Sequence, residues 1–383
     1  MKVARLYPNF QVDLKYSEHY LARELNKVGH HTTFVSSDKY MEFIKKYIKQ
    51  QDKAGYYNYN YFDLHRLKSI QILEKSIIIQ FKKLYGILFK SNFDLFHLYG
   101  IATFTSFTAL WLHYISRSKV PIILSDHSDT RTHSREGFFA ELYYFFFRVN
   151  MKLFTNRVSK FITFSESSVE LLSKRFKIPR HKFEVIKLGY DQDNYKFDAS
   201  LKNSSSKLIV GYAGKITPQK RIDYLINSIE ELELKNNIKL IIVGYNDEDK
   251  YCQSLEELSE RVNFEIELRP FASSEELIAF YNYIDLAIYP GGISITTIEA
   301  SGCGTPVIIY KSIEGLEERV SHNRGVLFRN KVELKEAIVN YYKQVNENAI
   351  NNEYISNKTN ELFSWKKISK DYLILYKKAI NGE

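Results

Sequence analysis

The sequence predicts an α/β protein built from two doubly wound, Rossmann-like domains, and three observations carry that prediction. At 383 residues the chain exceeds what one ordinary hydrophobic core organises and suits two domains of roughly 150 to 200 residues. It opens with a short apolar strand over residues 3–6, a helix-period stretch over 16–28 that closes at Gly29, and a second strand over 31–36, which is a βαβ beginning. In the second half, residues 289–308 (YPGGISITTIEASGCGTPVI) follow the strand-like run Leu286, Ala287, Ile288. That stretch turns through Pro290, Gly291 and Gly292 and enters a helix with Ile295, Ile298 and Ala300 on one face. It then stops at Gly302, Gly304 and Pro306 before a buried run over 307–309.

Composition narrows the class. Hydrophobic residues make up 44% of the chain and charged residues 26%, as in a soluble globular protein. No apolar run approaches the ~20 residues needed to cross a bilayer, and the N-terminal MKVARLYPNF lacks the apolar core of a signal peptide. The two cysteines, Cys252 and Cys303, lie far apart without metal-ligand spacing, so a reducing cytoplasm is expected rather than a disulfide framework. The net charge of +9 is uneven. Residues 1–200 hold 31 Lys and Arg against 19 Asp and Glu, a net +12, which leaves −3 for residues 201–383. A basic half suits nucleic acid or an anionic membrane surface, and no nucleic-acid motif accompanies it.

Along the first half, Tyr40, Phe43, Ile44, Tyr47 and Ile48 fall at helical spacing beside Lys45, Lys46 and Lys49. Residues 81–90 repeat the mixture with Lys82, Lys83 and Lys90. Residues 138–154 hold Tyr143, Tyr144, Phe145, Phe146 and Phe147, followed by Arg148, Lys152 and Arg157. Such stripes read either as core helices with a wet, lysine-bearing face or as an interfacial surface resting on anionic lipid. Strand-like runs over 95–99 and 120–124 end in loops, and the second opens onto Asp126, His127 and Asp129, where ligands of an α/β sheet bind. Asp126 and Asp129 are placed to orient the histidine ring or to address an acceptor hydroxyl. A strand over 161–164 leads through Ser165 and Glu166 into a helix ending at Phe176.

Residues 197–206, rich in serine, read as the linker, which gives a first domain over 1–196 and a second over 206–365. The second begins with a strand over 208–212 and continues GYAGKITPQKRIDYLINSI, with Lys215 and Lys220 just past the strand. Two fixed cations there suit a phosphate leaving group whose negative charge grows as its bond to carbon breaks. A glycine turn ahead of a helix is likewise a seat for phosphate, since its first amides lack partners, and Ser294, Thr296 and Thr297 add hydroxyls. Glu299, one turn on, lies within reach of a sugar hydroxyl pair. Asp191 with Asp193, and Asp247 with Asp249, each form a D-x-D, a pattern able to hold a divalent metal. The first pair falls ahead of the linker and the second in a polar loop after Gly244, so neither is expected to bind metal.

These motifs resemble those of the family-four glycosyltransferases, two-domain enzymes of the GT-B fold. The family's E-G-F-G-L-x-x-L-E-A followed by G-x-P-V-I is matched by Glu299, Ala300, Gly304, Pro306 and Val307. Ile298 stands for the leucine, and Ile293, Ser294 and Ile295 for Phe-Gly-Leu. Gly291 takes the place of the first glutamate, which in the family holds the transferred sugar. The family's G-R-L-x-x-x-K-G is matched by Gly214, Lys215 and Lys220, with Arg221 in place of the glycine. Leu25, Gly29 and His30 match the end of the first helix, whereas Lys15 and Tyr16 replace the Gly-Gly pair before it. His127 matches the histidine of T-x-H that lines the catalytic cleft, and the segment VIKLGYD resembles I-P-N-G-V-D.

The resemblance implies two Rossmann-like domains facing a cleft, with the last helix, over 366–383, crossing back to the first. It further implies transfer of a sugar from a nucleotide-diphosphate sugar to an acceptor hydroxyl, with retention at the anomeric carbon and without metal or cofactor. Lys215, Lys220, Gly291, Gly292, Ser294, Ile295 and Thr296 would hold the diphosphate beside Gly214 and Arg221, and Glu299 the ribose. Arg269 and Phe271 would frame the base, and His127 would meet the sugar or the acceptor. Lys15, Asp126 and Asp129 belong to the acceptor side. The expected acceptor is a lipid-linked or cell-surface glycan intermediate at the inner face of the membrane, and nucleic acid is not a partner. Two alternatives are a nucleotide-sugar epimerase of the same fold and a non-catalytic GT-B partner subunit, the latter suggested by Gly291 and the missing glycine pair.

Overall fold

The computed structural model describes residues 1–12, 17–40, 52–72, 75–128, 137–291, 294–311 and 315–383. The chain divides into two compact units, Met1–Leu188 with Trp365–Glu383, and Gly189–Ser364. In the first unit the order is β1 (Lys2–Tyr7), α1 (Ser17–Lys27), β2 (His31–Ser37), β3 (Gly55–Tyr59), β4 (Phe62–Leu67), β5 (Ser69–Ile72) and β6 (Lys75–Ile78). There follow α2 (Phe81–Lys90), β7 (Leu95–Tyr99), α3 (Phe104–Ile115), β8 (Ile122–Ser125), α4 (Phe138–Phe154), β9 (Val158–Thr163), α5 (Glu166–Phe176) and β10 (Phe183–Val185).

The main sheet runs β10-β9-β8-β7-β1-β2-β4-β3, parallel except for β3, which pairs antiparallel with β4. Its central strands are apolar on both faces because both are covered. Alternate residues of β1 show it: Ala4 and Leu6 face one core with Phe96, Leu98, Leu110, Phe147 and Leu172, while Val3 faces another with Leu95, Ile123, Leu21 and Leu25. The last helix of the chain, Trp365–Asn381, completes that second core with Trp365, Ile368, Tyr372 and Tyr376.

Of the helix expected around Tyr40 to Ile48, residues 41–48 lie outside the described residues. The lysine-flanked run at 81–90 is helix α2, with Leu84, Ile87 and Leu88 buried. The hairpins β3–β4 and β5–β6 were not anticipated. In the first, Tyr57 and Tyr59 alternate against Phe62 and Leu64 across the turn at Asn60 and Tyr61, a period of two within a composition dominated by tyrosine and asparagine.

The second unit contains β11 (Leu208–Ala213), α6 (Ile222–Glu230), β12 (Ile238–Tyr245), α7 (Lys250–Arg261), β13 (Glu265–Pro270), α8 (Ser274–Tyr283) and β14 (Leu286–Tyr289). It continues with α9 (Thr296–Gly302), β15 (Val307–Tyr310), α10 (Glu317–Val320), β16 (Gly325–Phe328), α11 (Lys331–Asn346) and α12 (Asn352–Phe363); Trp365–Asn381 is α13. The sheet order is β13-β12-β11-β14-β15-β16, and every pairing is parallel. The unit begins at Gly189, ahead of the serine-rich stretch, and Tyr190 pairs with Ser364 at its far end. That stretch is tied down: Asn282 accepts from the Asp198 amide, and Asn203 donates to the Tyr283 carbonyl. Asp249 caps α7 by accepting from the Tyr251 and Cys252 amides, which gives the second D-x-D a structural use.

Candidate active site

In an open α/β sheet ligands meet the carboxyl edge where the strand order reverses. In the second unit the reversal lies between β11 and β14, and the loops after these two strands carry the residues singled out in the sequence. After β11, Gly214 has φ +150° and its carbonyl lies where a side chain on Gly244 (φ +120°) would stand, so the ends of β11 and β12 approach backbone to backbone. Lys215 is exposed beyond it. A 3₁₀ turn over Pro218–Lys220 follows, closed by the Lys220 amide donating to the Thr217 carbonyl at 2.8 Å. Arg221, left-handed at φ 54°, places its guanidinium over the rings of Tyr224 (4.1 Å) and Tyr310 (4.8 Å).

After β14, Gly291 is buried, and a Cβ there would run into the Gln219 carbonyl oxygen and the Lys220 backbone. The two loops therefore lie one on the other, which brings the Lys220 turn against the strand end that leads to Glu299. The same contact explains the missing glutamate: no side chain fits at this position. Gly292 lies outside the described residues.

Ser294, Ile295 and Thr296 open α9. Two of the helix's first amides are not open: Thr296 N–H donates to Ser294 Oγ at 3.4 Å and Thr297 N–H to the Ser294 carbonyl at 3.3 Å. The Ile295 carbonyl accepts from the Glu299 amide. The Thr296 hydroxyl is buried and has no partner among the described residues. Beneath the turn lies Arg319 of α10, whose Nη1 donates to the Ser294 carbonyl (2.7 Å) and to Thr297 Oγ1 (2.5 Å). Burial lowers its pKa to about 10, which leaves it charged at neutral pH. Glu299 is pushed up to about 7, first by burial and then by the charge of Asp191. At the end of β13, Arg269 donates from Nε to Glu267 at 2.6 Å. Arg269 and the half-exposed Phe271 line a cavity of about 460 Å³ with Val243, Pro270, Phe280 and Tyr283.

In the first unit the order reverses between β7 and β1. His127, just past β8, packs its ring on Phe164 (centroids 4.6 Å) and edge-on to Tyr99 (5.9 Å). Burial lowers its pKa to about 4; Asp126 opposes the shift and Arg5 adds to it, so the imidazole is neutral at neutral pH. Asp126 accepts from the Ile101 amide (2.7 Å) and the Ser128 amide (2.9 Å), which joins the loops after β7 and β8. Its carboxylate thus holds backbone, and aromatic packing orients the ring. Lys15 and Asp129 lie outside the described residues.

Beside His127 is a buried network that the sequence reading missed. Arg5, fully buried in β1, donates to the Tyr99 hydroxyl and to the Glu18 carbonyl, and the Tyr7 hydroxyl donates to the Glu18 carboxylate. Burial raises Glu18 to about 7. The available signal was an arginine in the middle of the apolar strand VARL.

The chain is similar to known proteins along most of its length. The sequence model of the family described as Glycosyl transferases group 1 matches residues 193–362, and that of Glycosyltransferase Family 4 matches residues 18–194, so the two together span almost the whole chain. The chain belongs to the group 1 glycosyltransferases. An uncharacterized glycosyltransferase of Methanocaldococcus jannaschii is 26% identical over 353 residues, 86% of this chain and 88% of that one. Among solved structures, Anabaena HepE in complex with UDP is similar with a TM-score of 0.74 at 17% identity, over 99% of this chain and 100% of that chain. The sucrose-phosphate synthase of Thermosynechococcus elongatus gives 0.71 at 15%, over the full length of both. These likenesses establish the GT-B fold, and the family establishes a glycosyltransferase.

Proposed function

We infer that this glycosyltransferase moves a sugar from a nucleotide-diphosphate sugar to an acceptor hydroxyl with retention at the anomeric carbon. Donor binding is assigned to the second unit and the acceptor side to the first. One observation carries the reading: the packing of Gly291 on the Gln219–Lys220 backbone, which sets Lys220 and the turn leading to Glu299 on one sheet edge. Lys215 and Lys220 neutralise the departing diphosphate in place of a metal, Ser294 and Thr296 offer hydroxyls to it, and Glu299 accepts from the ribose. The departing phosphate oxygen takes the acceptor's proton on the same face, so no protein nucleophile is needed. His127, neutral at working pH, accepts or donates one hydrogen bond to the sugar or the acceptor. The cavity beside Arg269 and Phe271 takes the base. The solved Anabaena relative holds UDP, which supports a uridine nucleotide as the first donor to try.

The acceptor is inferred to be a lipid-linked or cell-surface glycan intermediate, met at the anionic cytoplasmic face of a membrane. The net +12 over residues 1–200 supports it. No helix among the described residues is long and apolar enough to cross a membrane, and the attachment proposed is a peripheral one. Calorimetry with UDP, GDP and ADP tests the donor site. One of them binds wild type, and Lys220→Ala weakens it by about 10- to 100-fold, the worth of a charge-assisted hydrogen bond. Equal binding by the variant removes the assignment. Gly291 favours a second reading, in which the protein binds a nucleotide without transferring sugar; donor turnover with a glycolipid acceptor extract excludes it.

A further inference from the structure

Helix α4 (Phe138–Phe154) has two apolar faces, and only one of them is used by the fold. Tyr144, Phe147, Met151 and Phe154 are buried in the first unit's core. On the outside, Phe138 is 77% exposed, Phe139 84%, Leu142 55%, Phe145 51%, Val149 45% and Leu153 60%. The sequence positions 138, 142, 145, 149 and 153 align along one side of the helix, a stripe ~23 Å long at 1.5 Å per residue. An ordinary surface helix presents polar residues there, and a contiguous exposed apolar patch marks a contact with something else. At the end of α3, Tyr114 packs on the buried Phe154 ring at 6.4 Å, and the adjacent Ile115 is 69% exposed.

The charges around the stripe decide what covers it. Glu141 is the one acidic residue in α4, set against Arg148 and Lys152. The Arg148 guanidinium sits over the Phe145 ring at 5.3 Å, and Arg157, just past the helix, sits over Tyr114 at 4.6 Å. These cations thus lie against the exposed aromatics rather than apart from them. A second copy of the chain docked by a two-fold axis would press this basic band against itself. A bilayer with anionic headgroups receives both parts, with aromatic side chains among the upper acyl carbons and the cations at phosphate level.

We propose that α4 is a membrane-insertion helix that lies in the interface of an anionic bilayer on its Phe138-to-Leu153 stripe, with Arg148, Lys152 and Arg157 contacting lipid phosphates. The inference deepens the membrane part of the function proposed above and rests on it. It gives that attachment a location and two separable components, one apolar and one electrostatic.

Flotation of the full chain with vesicles of phosphatidylcholine, with and without phosphatidylglycerol, at low and high salt, tests it. Wild type floats with the anionic vesicles, and salt weakens but does not abolish the association. The triple variant Phe138→Ser, Phe139→Ser, Leu142→Ser loses at least ~10-fold in partitioning, because three exposed apolar side chains no longer enter the bilayer. Lys152→Glu loses roughly 10-fold on anionic vesicles only. All three positions of the triple variant are solvent-exposed, so its thermal midpoint stays at the wild-type value. If the triple variant floats like wild type, the assignment to α4 falls and the wider membrane reading stands. If wild type fails to float at low salt yet binds a nucleoside diphosphate in calorimetry, the membrane reading falls with α4 and the donor reading stands. A wild type that is dimeric by light scattering, with a monomeric triple variant, makes the stripe a contact between copies and overturns the proposal.

Discussion

Glu299 is a buried carboxyl whose protonation sets a measurable part of the second unit's stability. Burial and the nearby Asp191 raise its pKa from the ordinary 4.5 to about 7. A raised pKa means that the folded unit holds the proton more tightly than the unfolded chain does, so folding gains nothing from ionisation and loses stability as pH rises from about 4.5 through 7. At ~1.4 kcal/mol per pH unit the rise from 4.5 to about 7 costs at most about 3 to 4 kcal/mol above pH 8, an upper bound because part of the side chain meets solvent. Glu299→Gln removes the titration and keeps the shape. Urea unfolding of the second unit at pH 5.5 and 8.5 then compares variant with wild type. By the linkage relation somewhat under half of that cost is already present at the lower pH, so the variant gains about 2 kcal/mol on wild type across that interval. A difference between variant and wild type that is the same at both pH values refutes the reasoning, whatever its sign.

Two other substitutions probe the same edge. Gly291→Ala forces a methyl group into the Gln219 carbonyl and the Lys220 backbone, which is expected to cost the second unit about 1–3 kcal/mol in chemical denaturation and to weaken nucleoside diphosphate binding with it. Arg319→Met releases the Ser294 carbonyl and the Thr297 hydroxyl, with a loss of about 1–3 kcal/mol. Calorimetry should show weaker binding of the diphosphate and unchanged binding of the free nucleoside.

The parts of the fold that were legible are those in which one short segment carries its own signal. Strands β1, β7, β11, β12, β14 and β15 are apolar runs closed by glycine, proline or polar loops, because a parallel sheet covered on both faces leaves little room for polar side chains. The loops after β11 and β14 were legible for a related reason: glycines and lysines at a sheet's carboxyl edge have a recognisable chemistry. The illegible parts depend on distant pairs. Nothing near Ser294 announces that Arg319 will hold its carbonyl, and nothing near Gly291 announces that the Gln219 backbone fills the space of its side chain. The hairpin β3–β4 escaped because its tyrosine and asparagine content obscures a period of two, and β5–β6 because strands of four residues are too short to display one. Arg5 was visible as a charge in a poor place for charge, yet its pairing with Tyr99, and that of Glu18 with Tyr7, is a tertiary fact.

The first unit is assembled from segments on either side of the second. Helix α13 lays Ile368, Tyr372 and Tyr376 over Val3, Leu95 and Ile123, and the Tyr376 hydroxyl meets His97 Nδ1 at 2.6 Å within β7. Translation delivers β1 before the second unit and α13 after it. Part of one face of the first unit's sheet, lined meanwhile by Leu21 and Leu25 of α1, therefore stays uncovered until α13 has been made, and the unit begun before the second is completed after it.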